Sequence, residues 1–301
     1  MSQACSDVVI RFAARDRRRV VSDLVALTKP RVVVMVLVAT LVGYHVGRAG
    51  SADYVRMVHL LIGTLLAAAG TLTLNQYLER ELDARMDRTR ARPLPAGRLH
   101  ALEALLFGAA LTGLGTTYLA VLVGPLVALV TIATTILYLF AYTPLKSRTP
   151  LCTLVGAVPG ALPPVAGWAA ARGDVALGAW VLFGILFLWQ LPHTLSIARL
   201  YREDYARAGV RVLPLTNRHG ASTERQIVLT CLALLSVSLL PAVLGWTGPI
   251  YLVGALGLGL AFTAVGIMHA VARTARAARQ VLLASLLYLP LLLGLLAFDR
   301  V

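Results

Sequence analysis

Asn75, Glu79, Asp83 and Asp87 recur at every fourth position of the stretch NQYLERELDARMDRTRARPL, Asn75 to Leu94. On a helix, each step of four advances only about 40° around the axis and roughly 6 Å along it, so the four side chains form one stripe. Two carboxylates at that spacing can share a hard cation such as Mg²⁺, which is usually held by one or two carboxylates plus substrate phosphates. Arg80, Arg88, Arg90 and Arg92 lie beside them, and guanidinium groups suit phosphate oxygens. The same residues would also serve as a solvated loop laced with i,i+4 ion pairs.

A second acidic pair, Glu203 and Asp204, lies in WQLPHTLSIARLYREDYARAGVRVLP, Trp189 to Pro214. His193 falls in the apolar part of that stretch. Asp204 follows it by about three helical turns and so shares its face. Intramembrane histidines are functional candidates, and a hydrogen-bonded packing role is the alternative. A basic loop, AYTPLKSRTPL, offers Tyr142, Lys146 and Arg148 as a clamp for an anion, or simply as a basic membrane-edge loop.

The elements that position these residues are membrane spans. Of the 301 residues 58% are hydrophobic and only 14% charged, far from the roughly 25% charged content of soluble domains. Blocks free of Lys, Arg, Asp and Glu are Val32–Gly47, Met57–Leu78, Ala104–Leu145, Thr149–Ala171, Val175–Ala198, Gln226–Ala272 and Gln280–Phe298. About 20 apolar residues cross a bilayer as a helix, so the two longest blocks are double spans, turning at Gly124-Pro125 and Thr247-Gly248-Pro249. The fold class is an all-α polytopic membrane protein with nine transmembrane helices.

With nine spans, the N-terminal segment and the loops after spans two, four, six and eight carry 24 of the 28 Lys and Arg residues. The positive-inside rule then puts the N-terminus in the cytoplasm and the C-terminus outside. The net charge of +14 is mostly this bias, and speaks for anionic headgroups rather than nucleic acid. Residues 1–26 are expected to be a basic, disordered tail, and 27–301 a single domain whose first span is retained rather than cleaved as a signal. Both acidic clusters therefore sit at cytoplasmic helix ends. Four acids at the bilayer centre would cost on the order of 10 kcal/mol, so they belong at the membrane edge or in a wet cavity. A diphosphate held there, above an apolar chamber, suits a prenyl diphosphate. No GxxxxGK[ST], HExxH or GxSxG motif is present, which argues against nucleotide hydrolysis and the common hydrolases. Cys5, Cys152 and Cys231 have no metal-ligand spacing.

Three stretches carry a resemblance to a known family: NQYLERELDARMDRTRARPL, YTPLKSRTPLCTLVGAVPGALPPVAGW and WQLPHTLSIARLYREDYARAG. They resemble the protohaem IX farnesyltransferases, or haem O synthases, of the UbiA-type membrane prenyltransferases. The likeness runs from about Leu27 to Leu289. The family's first motif usually reads Asn-x-x-x-Asp-x-x-x-Asp, and here Glu79 replaces the first Asp. The resemblance implies nine helices around a central cavity and farnesyl transfer from farnesyl diphosphate to haem B, in the cell inner membrane. It implies Mg²⁺ on Asn75, Glu79, Asp83 and Asp204, with Asp87 and Glu203 in the same acidic set. Arg80, Arg90, Arg92, Tyr142, Lys146, Arg148 and Arg202 would serve the diphosphate, and His193 the haem. A haem A synthase would be a downstream partner. A prenyltransferase acting on a quinone-precursor ring and a transporter are the alternative functions; acids confined to one membrane face argue against the transporter.

Overall fold

The computed structural model describes residues 17–51, 53–216 and 221–301. Among these, nine helices are long and apolar enough to cross a membrane: Pro30–Gly47, Tyr54–Leu78, Ala101–Leu122, Pro125–Leu145, Cys152–Arg172, Leu177–Leu200, Ser222–Val243, Pro249–Ala272 and Ala275–Phe298. The protein is a multi-pass membrane protein. Large apolar side chains such as Val121, Phe140 and Val271 point outward, where lipid replaces water.

Local chemistry sets the span ends. Pro30, Pro125 and Pro249 open spans one, four and eight, where a missing N–H costs nothing. The Asp53 carboxylate accepts from the Arg56 N–H at 2.9 Å and caps the second span. Span five is two helices, Cys152–Ala161 and Pro163–Arg172, because Pro163 and Pro164 interrupt the hydrogen-bond ladder. Span four widens into a π-helical turn over Leu137–Tyr142, a feature the sequence did not announce.

Each span packs on the next, and the ninth returns to the first, which closes the ring. The second half of span five crosses onto span one in backbone contact. A Cβ on Gly43 would lie 2.0 Å from Pro164 O, and one on Gly167 2.0 Å from Thr40 O. Such small-residue seams drive helix association in lipid, where burial of apolar surface gains nothing.

The N-terminal segment and the loops after even-numbered spans meet at one face. Arg98 bonds Asp23 at 3.0 Å, the Arg211 N–H donates to Lys146 O at 2.7 Å, and Arg199 donates to Arg273 O. Where a disordered tail was expected, Arg17–Leu27 is a helix. Leu27 and Leu24 pack with Leu94, Leu99 and Tyr77, and the Gln76 amide donates to Leu27 O at 2.8 Å, which together fix it to the second span. The first 16 residues of that tail lie outside the described residues.

Candidate active site

The second span carries Asn75 down to the basic face. The helix is offset at Glu79, but Glu79 N–H still donates to Asn75 O (2.9 Å) and Asp83 N–H to Glu79 O (2.7 Å). The stripe therefore survives through Asp83. It ends there because the Thr89 hydroxyl donates to Asp83 O and the chain turns away. Asn75, Glu79 and Asp83 are buried, while Asp87 is exposed. Three of the four side chains form one row, and the fourth stands on a separate turn.

Each member of the row has a basic or polar partner from another part of the chain. Lys29 Nζ donates to Asn75 Oδ1 at 2.9 Å, and Asn75 Nδ2 donates to Thr143 Oγ1 at 3.2 Å. Lys146 Nζ donates to Glu79 Oε1 at 2.5 Å and lies over the Tyr142 ring. Arg92 donates to Asp83 Oδ2 at 2.6 Å. Burial alone would raise the Glu79 carboxyl, but Lys146 and Lys29 hold it below the ordinary carboxylate range. Lys146 is lifted well above its ordinary value: burial opposes the charge, but Tyr142 and Glu79 outweigh it. Lys29 goes the other way, down to about 7, through burial and then the repulsion of Arg92.

The second acidic cluster reaches the first through a protein side chain. Arg207 donates to both Asp204 and Asp87, joining loops 120 residues apart in sequence. Arg88 adds to the seam by stacking over the Tyr201 and Tyr205 rings and donating to Tyr205 Oη at 3.1 Å.

This charged rim closes the mouth of a cavity of about 480 Å³ between spans one, two, four, five and six. Asn75, Glu79, Asp83, Arg92, Tyr142 and Lys146 stand on its wall. Asp204 is buried behind the wall on Arg207. Glu203, Arg90, Arg148 and Arg202 are exposed at the rim, and Arg80 folds back on Tyr77 O. His193 is not among the residues that line the cavity, although Gln190 and Thr194 of the same span are; its ring stacks on Trp189 and meets Ser285 Oγ of span nine at 2.8 Å.

Sequence reasoning passed over Lys29, Arg207 and Tyr138, which also lines the cavity. Lys29 looked like one more membrane-edge cation. Its backbone is left-handed (φ 50°) directly before Pro30, a strained arrangement that aims its side chain at Asn75. Arg207 has a local partner in Asp204, three residues before it, but no sequence pattern marks its link to Asp87, which lies in a different loop.

The donor set is hard: one amide oxygen and two carboxylates on successive turns. Among the described residues no three His, Cys, Asp or Glu converge as a closed metal cage. The set fits Mg²⁺ completed by phosphate oxygens and does not fit a self-sufficient structural metal.

A charged mouth over a chamber of apolar surface, sunk in a ring of nine spans, defines a membrane-embedded enzyme for a substrate with an anionic head and a greasy tail. The chain belongs to the UbiA prenyltransferase family, whose model matches residues 36–297. It is 50% identical over 287 residues to a protoheme IX farnesyltransferase of Solibacter usitatus, covering 92% of this chain and 98% of the relative. It is 41% identical to the enzyme of that name from Koribacter versatilis, covering 92% and 93%. Among solved structures, a digeranylgeranylglyceryl phosphate synthase superposes with a TM-score of 0.79 at 17% identity, covering 93% of this chain and 98% of that one. A UbiA homologue from Archaeoglobus fulgidus, bound to GPP and Mg²⁺, gives 0.66 at 16% identity, covering 91% and 99%.

Proposed function

We propose that this protein transfers the farnesyl group of farnesyl diphosphate to a vinyl group of haem B, giving haem O and diphosphate. The observation that carries the reading is the mouth itself, where Lys29, Lys146 and Arg92 converge on Asn75, Glu79 and Asp83 above an apolar chamber. The names of the relatives supply the choice of acceptor.

Asn75, Glu79 and Asp83 would hold Mg²⁺, with Asp204 approaching once Arg207 releases it. Bound Mg²⁺ supplies Lewis-acid stabilisation of charge on the departing diphosphate oxygens. Lys146, Arg92 and Lys29 exchange their carboxylate and amide partners for those oxygens. Arg80, Arg90, Arg148 and Arg202 at the rim draw the anion in. As the C1–O bond breaks, diphosphate leaves with the electron pair. The vinyl π electrons then form the new C–C bond. Water adds to the cation left on the porphyrin side chain and loses a proton. The dry wall protects the allylic cation until the vinyl group reaches it.

His193 is proposed to meet the haem. The Ser285 hydroxyl donates to Leu282 O at 2.6 Å, so it receives the proton of His193 Nδ1 and leaves the Nε2 lone pair free. The basic face is assigned to the cytoplasm and the protein to the cell inner membrane, where a haem A synthase would use the product. Incubating purified protein with haem B, farnesyl diphosphate and Mg²⁺ tests the reading. The product mass must equal haem B plus farnesyl plus hydroxyl. Product formed only from 4-hydroxybenzoate would overturn the choice of acceptor.

A further inference from the structure

The cavity ends at the same depth on three spans. On the second span its wall runs from Asn75 at the mouth to Thr64, eleven residues, and no residue nearer the far face lines it. At about 1.5 Å per residue this is a depth of roughly 16 Å. The same interval separates Lys29 from Thr40 on the first span and Tyr142 from Thr131 on the fourth.

Directly beneath lies a packed apolar plug of Tyr44, Leu60, Leu119, Val127 and Ala169, none more than 4% exposed. The Tyr44 hydroxyl donates to Asp53 O at 2.8 Å, which ties the plug to the far end of the second span.

The threonines above the plug make an apolar wall. Thr40, Thr131 and Thr134 donate to the carbonyls of Val36, Val127 and Val130, four residues back, and Thr71 pairs with Thr135 at 2.9 Å. Hydroxyls satisfied in this way leave methyl groups for the chamber. Thr64 differs: it is buried with its hydroxyl unpartnered, and it sits at the floor.

An isoprene unit adds four chain bonds of about 1.5 Å, or roughly 5 Å when extended. Three units need about 15 Å and four about 20 Å. We infer that Thr40, Thr64 and Thr131, backed by Leu60 and Val127, form a floor that measures the prenyl chain and selects three isoprene units over four. The inference rests on the transfer reaction proposed above and assigns the residues that set its chain length.

The test is a ladder of geranyl, farnesyl and geranylgeranyl diphosphates, read as product mass with haem B. The same ladder of S-thiolodiphosphates is read by calorimetric binding without haem. The unaltered protein should bind and use the farnesyl compound at least tenfold better than the geranylgeranyl one. Thr64→Leu and Thr40→Leu raise the floor and should shift preference at least tenfold towards geranyl. Leu60→Ala and Val127→Ala deepen it and should admit geranylgeranyl; two variants at each depth guard against one that fails to fold. Equal binding of the farnesyl and geranylgeranyl compounds, or an unchanged ranking in folded Thr64→Leu, overturns the floor. Absence of any transfer to haem B refutes the reaction instead, and the binding ladder still decides the floor.

Discussion

The Lys146 ammonium lies 2.5 Å from Glu79 Oε1, so the loop after the fourth span is bonded to the end of the second. Both side chains are largely buried, at 18% and 8% exposure. Replacing Glu79 by Gln strands a buried cation, and breaking such a pair costs about 3–5 kcal/mol. Glu79→Gln should therefore melt well below the unaltered protein in detergent, and the double variant Glu79→Gln, Lys146→Met should recover most of the loss. The pH dependence has two arms. The Glu79 carboxyl is depressed, so its contribution is present above the ordinary carboxylate range and is lost as pH falls through the lower folded value. The Lys146 ammonium is raised, so its contribution persists through neutral pH and is lost only as pH rises through the raised folded value. A stability advantage over Glu79→Gln that is flat across neutral pH is the expected result.

Lys29 behaves oppositely. Burial, then Arg92, bring it from 10.5 to about 7. Between those values the unfolded chain binds the proton and the folded one does not, so stability rises with pH across that window. In metal-free protein, the melting temperature of the unaltered chain relative to Lys29→Met should climb from pH 7 towards 10. A difference that stays flat or falls would show that the ammonium is not strained by its surroundings.

How much of this was legible before the fold was seen differs from residue to residue. The nine spans were written in hydropathy, because the bilayer admits no other way to satisfy so long an apolar backbone. Asn75, Glu79 and Asp83 were legible as a stripe because α-helical periodicity is local. Asp87 was misplaced in that stripe because the Thr89 hydroxyl, six residues beyond Asp83, ends the helix. The break in span five follows from Pro163 and Pro164 themselves, a local effect of residue type, whereas the π turn in span four has no such marker. Lys29 and Arg207 were hidden for a different reason: their importance lies in partners 46 and 120 residues away.

Arg207 stands between the two acidic clusters where a shared cation would draw them together. It bonds Asp87 and Asp204 at once and is 49% exposed. The pair with Asp87 is exposed and contributes little, but Asp204 is only 11% exposed, so Arg207→Gln leaves a largely buried carboxylate unpaired and should lower the melting temperature of the metal-free protein. It should also remove an internal competitor for the Asp204 carboxylate. Mn²⁺ binding followed by electron paramagnetic resonance should therefore be several-fold tighter in Arg207→Gln. Protease sensitivity of the loop after span two should rise, because the link to the loop after span six is gone. Weaker Mn²⁺ binding would mean that Arg207 positions the carboxylates and does not compete for them.

The tautomer of His193 gives the most direct test of where haem goes. Ser285 spends its own proton on Leu282 O, so the imidazole donates from Nδ1 and keeps Nε2 as an acceptor. A second hydrogen bond that fixes the tautomer in this way is the usual support for a metal-binding imidazole. Trp189 stacks on the same ring at 4.9 Å and holds its plane. His193→Phe preserves the stack but loses the hydrogen bond, a cost of about 0.5–1.5 kcal/mol, so the variant should fold. Its haem B complex should show a shifted Soret band and weaker binding, with the affinity for farnesyl S-thiolodiphosphate unchanged. Ser285→Ala frees the tautomer without removing the ring, so its haem spectrum should fall between the two. Spectra identical across all three proteins would place His193 among the packing residues of spans six and nine, and the iron ligand elsewhere.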